Sequence, residues 1–192
     1  MIEKGYLIYA NNNSKCNYVR QAYALSLSIK CFNKDAHVTV VTENELCDRL
    51  RAGFDNVIVP HKAPVSQSVL NAEQRIHAYN ISPYLKTIVM DADVLVTQNL
   101  DSWWDYLENH MIYYVSTART YRDEISDAVA YRKTFVENNL PNLYNAFHYF
   151  EKSDEASRFF RLQQLIVENW EKFYSKYCLL YTSDAADDTP CV

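Results

Sequence analysis

Two aspartates, Asp91 and Asp93, directly follow the apolar segment 87–90 and precede a second apolar segment, 94–96. An apolar segment rich in β-branched residues, without polar alternation, predicts a strand that is covered on both faces. Such strands belong to parallel sheets packed between helices, and in open sheets of that kind ligands collect at the carboxyl ends of the strands. The sequence therefore predicts an α/β fold with two carboxylates at its ligand-binding edge.

These two carboxylates predict a bound divalent cation. An ionised carboxylate that is taken out of water without a partner is strongly destabilised or becomes protonated. Mn²⁺ or Mg²⁺ would keep both groups charged, because these ions prefer carboxylate, phosphate and water oxygens. Asp91 and Asp93 are therefore the candidate metal ligands. The alternative is that Asp93 caps the following turn and Asp91 pairs with a nearby basic residue.

The segments before and after this motif alternate between strand and helix patterns. Predicted strands cover residues 5–10, 37–42, 56–60, the strand ending at Met90, 111–116 and 144–150. Predicted helices cover residues 18–31, 44–52, 71–80, 100–108, 122–138 and 154–177. The last of these carries Phe159, Leu162, Leu165, Ile166 and Trp170 on its apolar face. The alternation predicts a mixed, mostly parallel sheet flanked by helices.

Composition limits the possible classes of protein. A chain of 192 residues with 48% hydrophobic content is long enough for one well-packed domain. The net charge of −5, without a basic run, argues against a nucleic acid partner. No apolar stretch reaches the ~18 residues of a transmembrane helix, and the start lacks the apolar segment of a secretory signal. We therefore expect no transmembrane segment and a cytoplasmic protein.

The histidines and tryptophans give no sign of a second site. The residues His61, His77, His110 and His148 lack the mutual spacing of metal ligands, so the sequence predicts structural roles for them. Trp103 and Trp104 lie in a predicted helix and are expected to pack in the core.

A set of residues around the motif has the spacing of a known family: Arg75, Tyr84, Lys86, Asp91, Asp93, Asn99 and Asp101. In this respect the segment 75–101 resembles the donor-site core of the glycogenin-like (family 8) glycosyltransferases. These enzymes have the GT-A fold, a Rossmann-like α/β fold, and use nucleotide sugars. The resemblance includes the Asp-x-Asp motif and extends over most of the chain before residue 150.

The resemblance implies roles for particular residues. The metal ligands would be Asp91 and Asp93, and the residues that contact the nucleotide sugar would be Asn11, Asn12, Tyr18, Arg75, Asp91, Ala92 and Asn145. Tyr18 is equally compatible with stacking on the base and with filling the core. From helix statistics alone, Arg75 is compatible with a solvated position. After Asn145, Ala146 and Phe147 stand where the family has Ser and Gly.

The resemblance implies a metal-dependent glycosyltransferase of the hexosyltransferase type that retains the anomeric configuration. Its donor would be a nucleotide diphosphate sugar, most simply a UDP-sugar, its cofactor Mn²⁺ or Mg²⁺, and its acceptor a glycan, a protein or a small molecule. Two other classes stay open. A haloacid-dehalogenase-like phosphatase or phosphotransferase would use Asp91 as its nucleophile. A non-catalytic nucleotide-sugar-binding domain would need no further residues.

The last residues of the chain are predicted to be an artificial tail. Residues 178–188 resemble the conceptual translation of a transposase adapter that is used in sequencing libraries. We therefore predict a nucleotide-sugar-binding domain of the GT-A fold over residues 1–177, truncated at its carboxyl end, and a tail without a fold at residues 178–192. The catalytic residues and the last metal ligand of the family would then lie beyond the truncation.

Overall fold

The sheet has the architecture that the alternating pattern predicts. The computed structural model describes residues 2–60, 73–117, 119, 139 and 143–177. Its strands are β1 (Ile2–Tyr9), β2 (Val38–Val41), β3 (Asn56–Ile58), β4 (Tyr84–Asp91), β5 (Ile112–Val115) and β6 (Tyr144–Glu151). They form a six-stranded sheet in the order β3-β2-β1-β4-β6-β5. The first four in this order are parallel, and β6 runs antiparallel to both β4 and β5. The predicted mixed, mostly parallel sheet is confirmed.

Helices cover both faces of this sheet. They are α1 (Tyr18–Phe32), α2 (Asp48–Arg51), α3 (Ala78–Ile81), α4 (Asp101–Leu107), α5 (Asp154–Glu168) and α6 (Trp170–Tyr177), with a 3₁₀ helix at Glu73–His77 that leads into α3. Within the described residues, no helix combines the length and the apolar character needed to cross a bilayer. The predicted helix at 122–138 and the tail at 178–192 lie outside the described residues.

Two helix predictions were wrong in extent. The helix predicted at 44–52 covers only Asp48–Arg51, because the Asn44 backbone N–H donates to the Thr42 hydroxyl and the Asn44 side chain accepts from the Asn12 backbone instead. The long helix predicted at 154–177 is interrupted at Asn169, whose φ of −114° and ψ of 27° are not helical. The Asn169 backbone N–H and its side-chain amide both donate to the Leu165 carbonyl at the end of α5.

The apolar residues form two cores, one on each face of the sheet. The first core lies between the sheet and helices α1 and α4, and it contains Tyr6, Ile88, Met90, Trp104 and Tyr149 among others. Trp104 is 2% exposed and its Nε1 donates to the Tyr6 hydroxyl at 2.8 Å, as the packing prediction expects. Trp103 instead lies at the surface and is 37% exposed.

The second core lies on the opposite face, between the sheet and α3 and α5. It contains Leu7, Val89 and Phe150 from the strands and Phe160 from α5. The predicted apolar face of this helix was partly wrong, since Leu162 and Leu165 are exposed, whereas Ala156 and Phe160 are buried. Burial of Leu7, Ile88 and Val89 on the two faces of the central strands confirms that the apolar segment before Asp91 is covered on both sides.

A glycine allows an aromatic ring to lie against β1. The Tyr84 ring occupies the space in which a side chain at Gly5 would lie, and the His37 carbonyl is 2.8 Å from that position. The Tyr84 hydroxyl is hydrogen-bonded to the Thr39 hydroxyl at 2.5 Å and to His37 Nδ1 at 2.8 Å. Gly5 therefore permits the contact that holds β1, β2 and β4 together at this end of the sheet.

Candidate functional site

The candidate site lies at the carboxyl ends of the two central parallel strands. Tyr9, the last residue of β1, is in register with Asp91, the last residue of β4. Asp91 is half-buried, Ala92 is buried and Asp93 is exposed in the turn that follows. The two carboxylates thus occupy the edge of the sheet where ligands of α/β folds bind, as the sequence indicates.

Arg75 forms an ion pair with Asp91. The Arg75 guanidinium contacts Oδ1 of Asp91, and each side chain is 26% exposed. Arg75 belongs to the 3₁₀ helix, which is held against α5 by a hydrogen bond from Gln164 Nε2 to the Ile76 carbonyl at 3.2 Å. The structure therefore brings Arg75 and Asp91 together, although they belong to different elements. The solvated position that helix statistics allowed for Arg75 is not observed.

The donor set at this edge fits one kind of metal site. No group of three or more His, Cys, Asp or Glu side chains that could hold a metal ion occurs in the part of the chain that the structure describes. Mg²⁺ and ions like it are nevertheless commonly held by one or two carboxylates, with substrate phosphates and waters completing the shell. Asp91 and Asp93 are the residues at this edge that would hold such an ion.

The predicted base-contacting loop is held by its own asparagines. Asn11 Oδ1 accepts from the Glu43 backbone N–H at 2.8 Å, and Asn12 Oδ1 accepts from the Val19 backbone N–H at 3.0 Å. The second bond ties the loop to the first turn of α1, where orphan N–H groups need acceptors. Only Ala10 separates these asparagines from Tyr9, the partner of Asp91 in the sheet, so the loop begins close to Asp91.

Tyr18 opens α1 and is partly buried against the first core. This packing supports the core-filling role that the sequence left open. Asn145 lies at the start of β6 and is half-buried.

The strand β6 is irregular where Asn145 lies. Tyr114 of β5 pairs with His148, but the next residue, Val115, pairs with Tyr144, so residues 145–147 bulge out of the ladder between the two strands. His148 Nδ1 is 3.3 Å from the Asn145 carbonyl oxygen and closes the bulge. Bulges are frequent next to binding sites because they redirect side chains. The backbone therefore adopts this irregular conformation with Ala146 and Phe147 at the positions where the glycogenin-like family has Ser and Gly.

The structure shows two polar residues at this site that the sequence did not indicate. His148 is 1% exposed and Tyr9 is half-buried, and neither His148 Nε2 nor the Tyr9 hydroxyl has a hydrogen-bond partner among the described residues. Burial lowers the pKa of His148 to about 4; its bond to Asn145 opposes the shift and the charge of Arg75 adds to it. Burial raises the pKa of Tyr9, whereas the charge of Arg75 lowers it. The spacing of residues along the sequence does not indicate these two residues, because only the pairing of the strands brings them to the site.

A depression elsewhere on the surface contains none of the predicted ligands. It has a volume of about 320 Å³ and is lined by Ser102, Trp103, Tyr106 and Tyr113. We place the site at Asp91 and not here, because the charged and buried polar groups converge at Asp91.

Comparison with known structures identifies the fold. The chain is similar to the glycosyltransferase GlyE of Streptococcus pneumoniae TIGR4, with a TM-score of 0.59, 12% identity and 91% of this chain covered. It is also similar to mouse xyloside xylosyltransferase 1, with a TM-score of 0.54, 14% identity and 92% of this chain covered. For a galactosyltransferase, LgtC, solved with donor and acceptor sugar analogues, the TM-score is 0.51 at 14% identity and 85% coverage. The predicted GT-A fold is confirmed.

The chain spans only part of the length of each of these proteins. It spans 40% of GlyE and 66% of LgtC, which is less than two thirds of each, and 76% of the xylosyltransferase. No protein-family model and no curated protein sequence matches the chain.

Proposed function

We propose that this chain, which has the fold of GT-A glycosyltransferases, is the donor-binding part of a metal-dependent glycosyltransferase. The observation that carries the proposal is the position of Asp91 at the carboxyl end of the central strand β4, in contact with Arg75 and two residues before Asp93. We assign Asp91 and Asp93 to binding of the cation, and Arg75 to binding of the donor's phosphates.

The chemistry follows from the charge of the leaving group. Transfer of a sugar from a nucleotide diphosphate releases a diphosphate whose negative charge must be stabilised as the glycosidic bond breaks. A divalent cation, when bound, would supply that stabilisation as a Lewis acid. Asp91 and Asp93 would hold it, and Arg75 would bind phosphate oxygens with the donors that its contact to Asp91 leaves available, because a guanidinium carries five N–H groups in a fixed fork.

The donor that we propose is a nucleotide diphosphate sugar, with a UDP-sugar as the first candidate. Three of the similar structures are sugar transferases, and one of them was solved with a donor analogue and an acceptor analogue. Asn11 and Asn12 lie in the loop after β1, whose last residue is in register with Asp91, and Tyr18 begins the helix after that loop, so we assign these three residues to the base. We propose transfer with retention of configuration to a glycan, a protein or a small-molecule acceptor.

A binding experiment tests this proposal. Calorimetric titration with uridine diphosphate should show binding in the presence of Mn²⁺ and at least about tenfold weaker binding, or ~1.4 kcal/mol, in its absence or in Asp93→Asn. The reason is that the cation joining the diphosphate to the two carboxylates is then missing or has lost one of its ligands. Asp105→Asn, which changes an exposed acid on α4, is the matched control. Equal affinity with and without Mn²⁺ would reject the metal-dependent mechanism.

Two further assays separate the other classes. Hydrolysis of p-nitrophenyl phosphate that is abolished by Asp91→Asn would identify a phosphatase instead. Slow Mn²⁺-dependent release of uridine diphosphate from UDP-glucose or UDP-galactose would support an enzyme. Mn²⁺-dependent binding with no release would support a non-catalytic binding domain.

A further inference from the structure

Two buried polar atoms lie near the Arg75–Asp91 ion pair without a hydrogen-bond partner among the described residues: the Tyr9 hydroxyl and His148 Nε2. An unsatisfied buried donor or acceptor costs about 1–3 kcal/mol. Such groups in a native structure are expected to have a reason, and a ligand that supplies the missing partner is one.

Strand register places both side chains on the same face as Asp91. Tyr9 is the partner of Asp91 on β1, and His148 is the partner of Val89 on β6, so the two residues flank β4 from either side. Val89 belongs to the second core and Met90 to the first, so alternation places Asp91 on the face of the second core. Tyr9 packs against that core, and His148 lies on its face because Tyr149 faces the first.

The contacts of the His148 ring fix its orientation and the tautomer of its neutral form. It stacks on the Tyr114 ring, with centroids 4.8 Å apart and planes 7° apart. A carbonyl can only accept, so the contact of Nδ1 with the Asn145 carbonyl requires the proton on Nδ1. The neutral ring therefore presents Nε2 as an acceptor, while the Tyr9 hydroxyl can donate or accept.

These groups select the chemistry of the ligand. The field of Arg75 reaches both, since its charge lowers the pKa of Tyr9 and of His148, so a cationic ligand group is disfavoured here. Within the described residues, no group of three His, Cys, Asp or Glu side chains surrounds these atoms, so they do not form a second metal site. A neutral hydroxyl both donates and accepts, and it matches an imidazole acceptor as well as a phenol.

We propose that Tyr9 and His148 form a subsite that binds hydroxyl groups of the donor's sugar. This inference rests on the proposed function and deepens it. The sugar is bonded directly to the diphosphate that Arg75 and the Asp91–Asp93 cation would hold, so its ring hydroxyls come within reach of the strands on either side of Asp91. A site of buried polar groups discriminates strongly against a ligand that lacks the matching hydroxyl, because the groups are then left unpaired.

The test compares uridine diphosphate with sugar nucleotides in the presence of Mn²⁺, by calorimetry on the whole chain. The wild type is expected to bind at least one of UDP-glucose, UDP-galactose and UDP-xylose about tenfold more tightly than uridine diphosphate. Tyr9→Phe and His148→Leu are expected to reduce this ratio to about threefold or less with an unchanged affinity for uridine diphosphate. His148→Gln retains a hydrogen-bond acceptor and is expected to keep part of the wild-type preference for the sugar nucleotide.

A matched control is present on the other face of the sheet. Tyr149 also has a buried hydroxyl without a partner among the described residues, but it belongs to the first core. Tyr149→Phe is expected to leave the ratio unchanged. Circular dichroism and urea unfolding check that each variant folds, and Tyr9→Phe removes only an oxygen atom.

The outcomes separate the two proposals. Suppose that uridine diphosphate binds with Mn²⁺ but the affinity ratio of sugar nucleotide to uridine diphosphate is the same in wild type, Tyr9→Phe and His148→Leu. The subsite is then wrong and the proposed function stands. The same conclusion follows if the wild type binds all three sugar nucleotides no better than uridine diphosphate. If uridine diphosphate does not bind with Mn²⁺, the proposed function fails and the subsite fails with it.

Discussion

The guanidinium of Arg75 contacts Oδ1 of Asp91. The pair joins the 3₁₀ helix to the end of β4, so in our account the fold holds together the arginine assigned to the phosphates and a carboxylate assigned to the cation. A preorganised pair of this kind lowers the conformational entropy cost of binding. Asp91 therefore has two roles in our account, since it orients Arg75 and also contributes to the cation site.

Replacement of Arg75 tests its contact with the donor's phosphates. Arg75→Lys keeps the charge but loses the planar fork, and we expect the Mn²⁺-dependent affinity for uridine diphosphate to fall about tenfold. Arg75→Met should lower it further, because the charge is also lost. The measurement is calorimetric titration, with Arg158→Met, which changes an exposed arginine on α5, as the control. Unchanged affinity in Arg75→Met would show that Arg75 serves only to hold Asp91.

The Tyr6–Trp104 hydrogen bond in the first core should contribute measurably to stability. Both partners are buried and their donor–acceptor distance is 2.8 Å. Tyr6→Phe or Trp104→Phe alone leaves the other partner unsatisfied, so the double variant should be destabilised by less than the sum of the two single variants, with a coupling of about 1 kcal/mol. Urea unfolding measures all four proteins. Strict additivity would mean that the bond contributes nothing to the free energy of unfolding.

Stability should fall as the solution is acidified, partly because of His148. Its pKa is lowered to about 4 in the folded chain, whereas an unfolded histidine has a pKa of about 6.5. The unfolded state therefore binds the proton first, so the contribution of His148 is fully present above pH ~6.5 and is lost as the pH falls through about 4. The expected loss is at most about 3 kcal/mol.

Urea unfolding at pH 7, 6 and 5 measures this dependence. His148→Gln should flatten the curve relative to the wild type, and His110→Gln, on the turn after α4, is the control. Parallel curves for the wild type and His148→Gln would contradict the buried, neutral state of this ring.

Gly5→Ala should destabilise the sheet. The added methyl group would meet the Tyr84 ring and the His37 carbonyl, and the ring is held in place by its two hydroxyl contacts. We expect a loss of about 1–3 kcal/mol in the free energy of unfolding, as for other overpacked cores. With Tyr84→Leu in the same chain, Gly5→Ala should cost less than it does alone. A neutral Gly5→Ala substitution would show that the ring moves freely.

The central part of this fold follows directly from the sequence. An apolar segment without alternation predicts a strand that is covered on both faces, and Ile88 and Val89 are buried in the two different cores. The placement of Asp91 at the carboxyl end of that strand follows from the same segment. Periodic apolar residues also indicate α1 well, because its buried residues recur on one face.

The remaining features depend on contacts that chain spacing does not report. His148 has no ligand partner nearby in the sequence, and only the pairing of β6 with β4 brings it close to Asp91. The ion pair of Arg75 depends in the same way on how the 3₁₀ helix packs. The helix break at Asn169 depends on the backbone conformation of that one residue, which an apolar pattern does not contain.

The measurement that most directly tests the central claim is electron paramagnetic resonance of Mn²⁺ titrated with the protein and uridine diphosphate. The chain should reduce the free Mn²⁺ signal beyond the level that the nucleotide alone produces, and Asp91→Asn and Asp93→Asn should each abolish this extra loss, while Asp105→Asn retains it. An extra loss of signal of the same size in Asp91→Asn and Asp93→Asn would contradict a cation held by these two carboxylates.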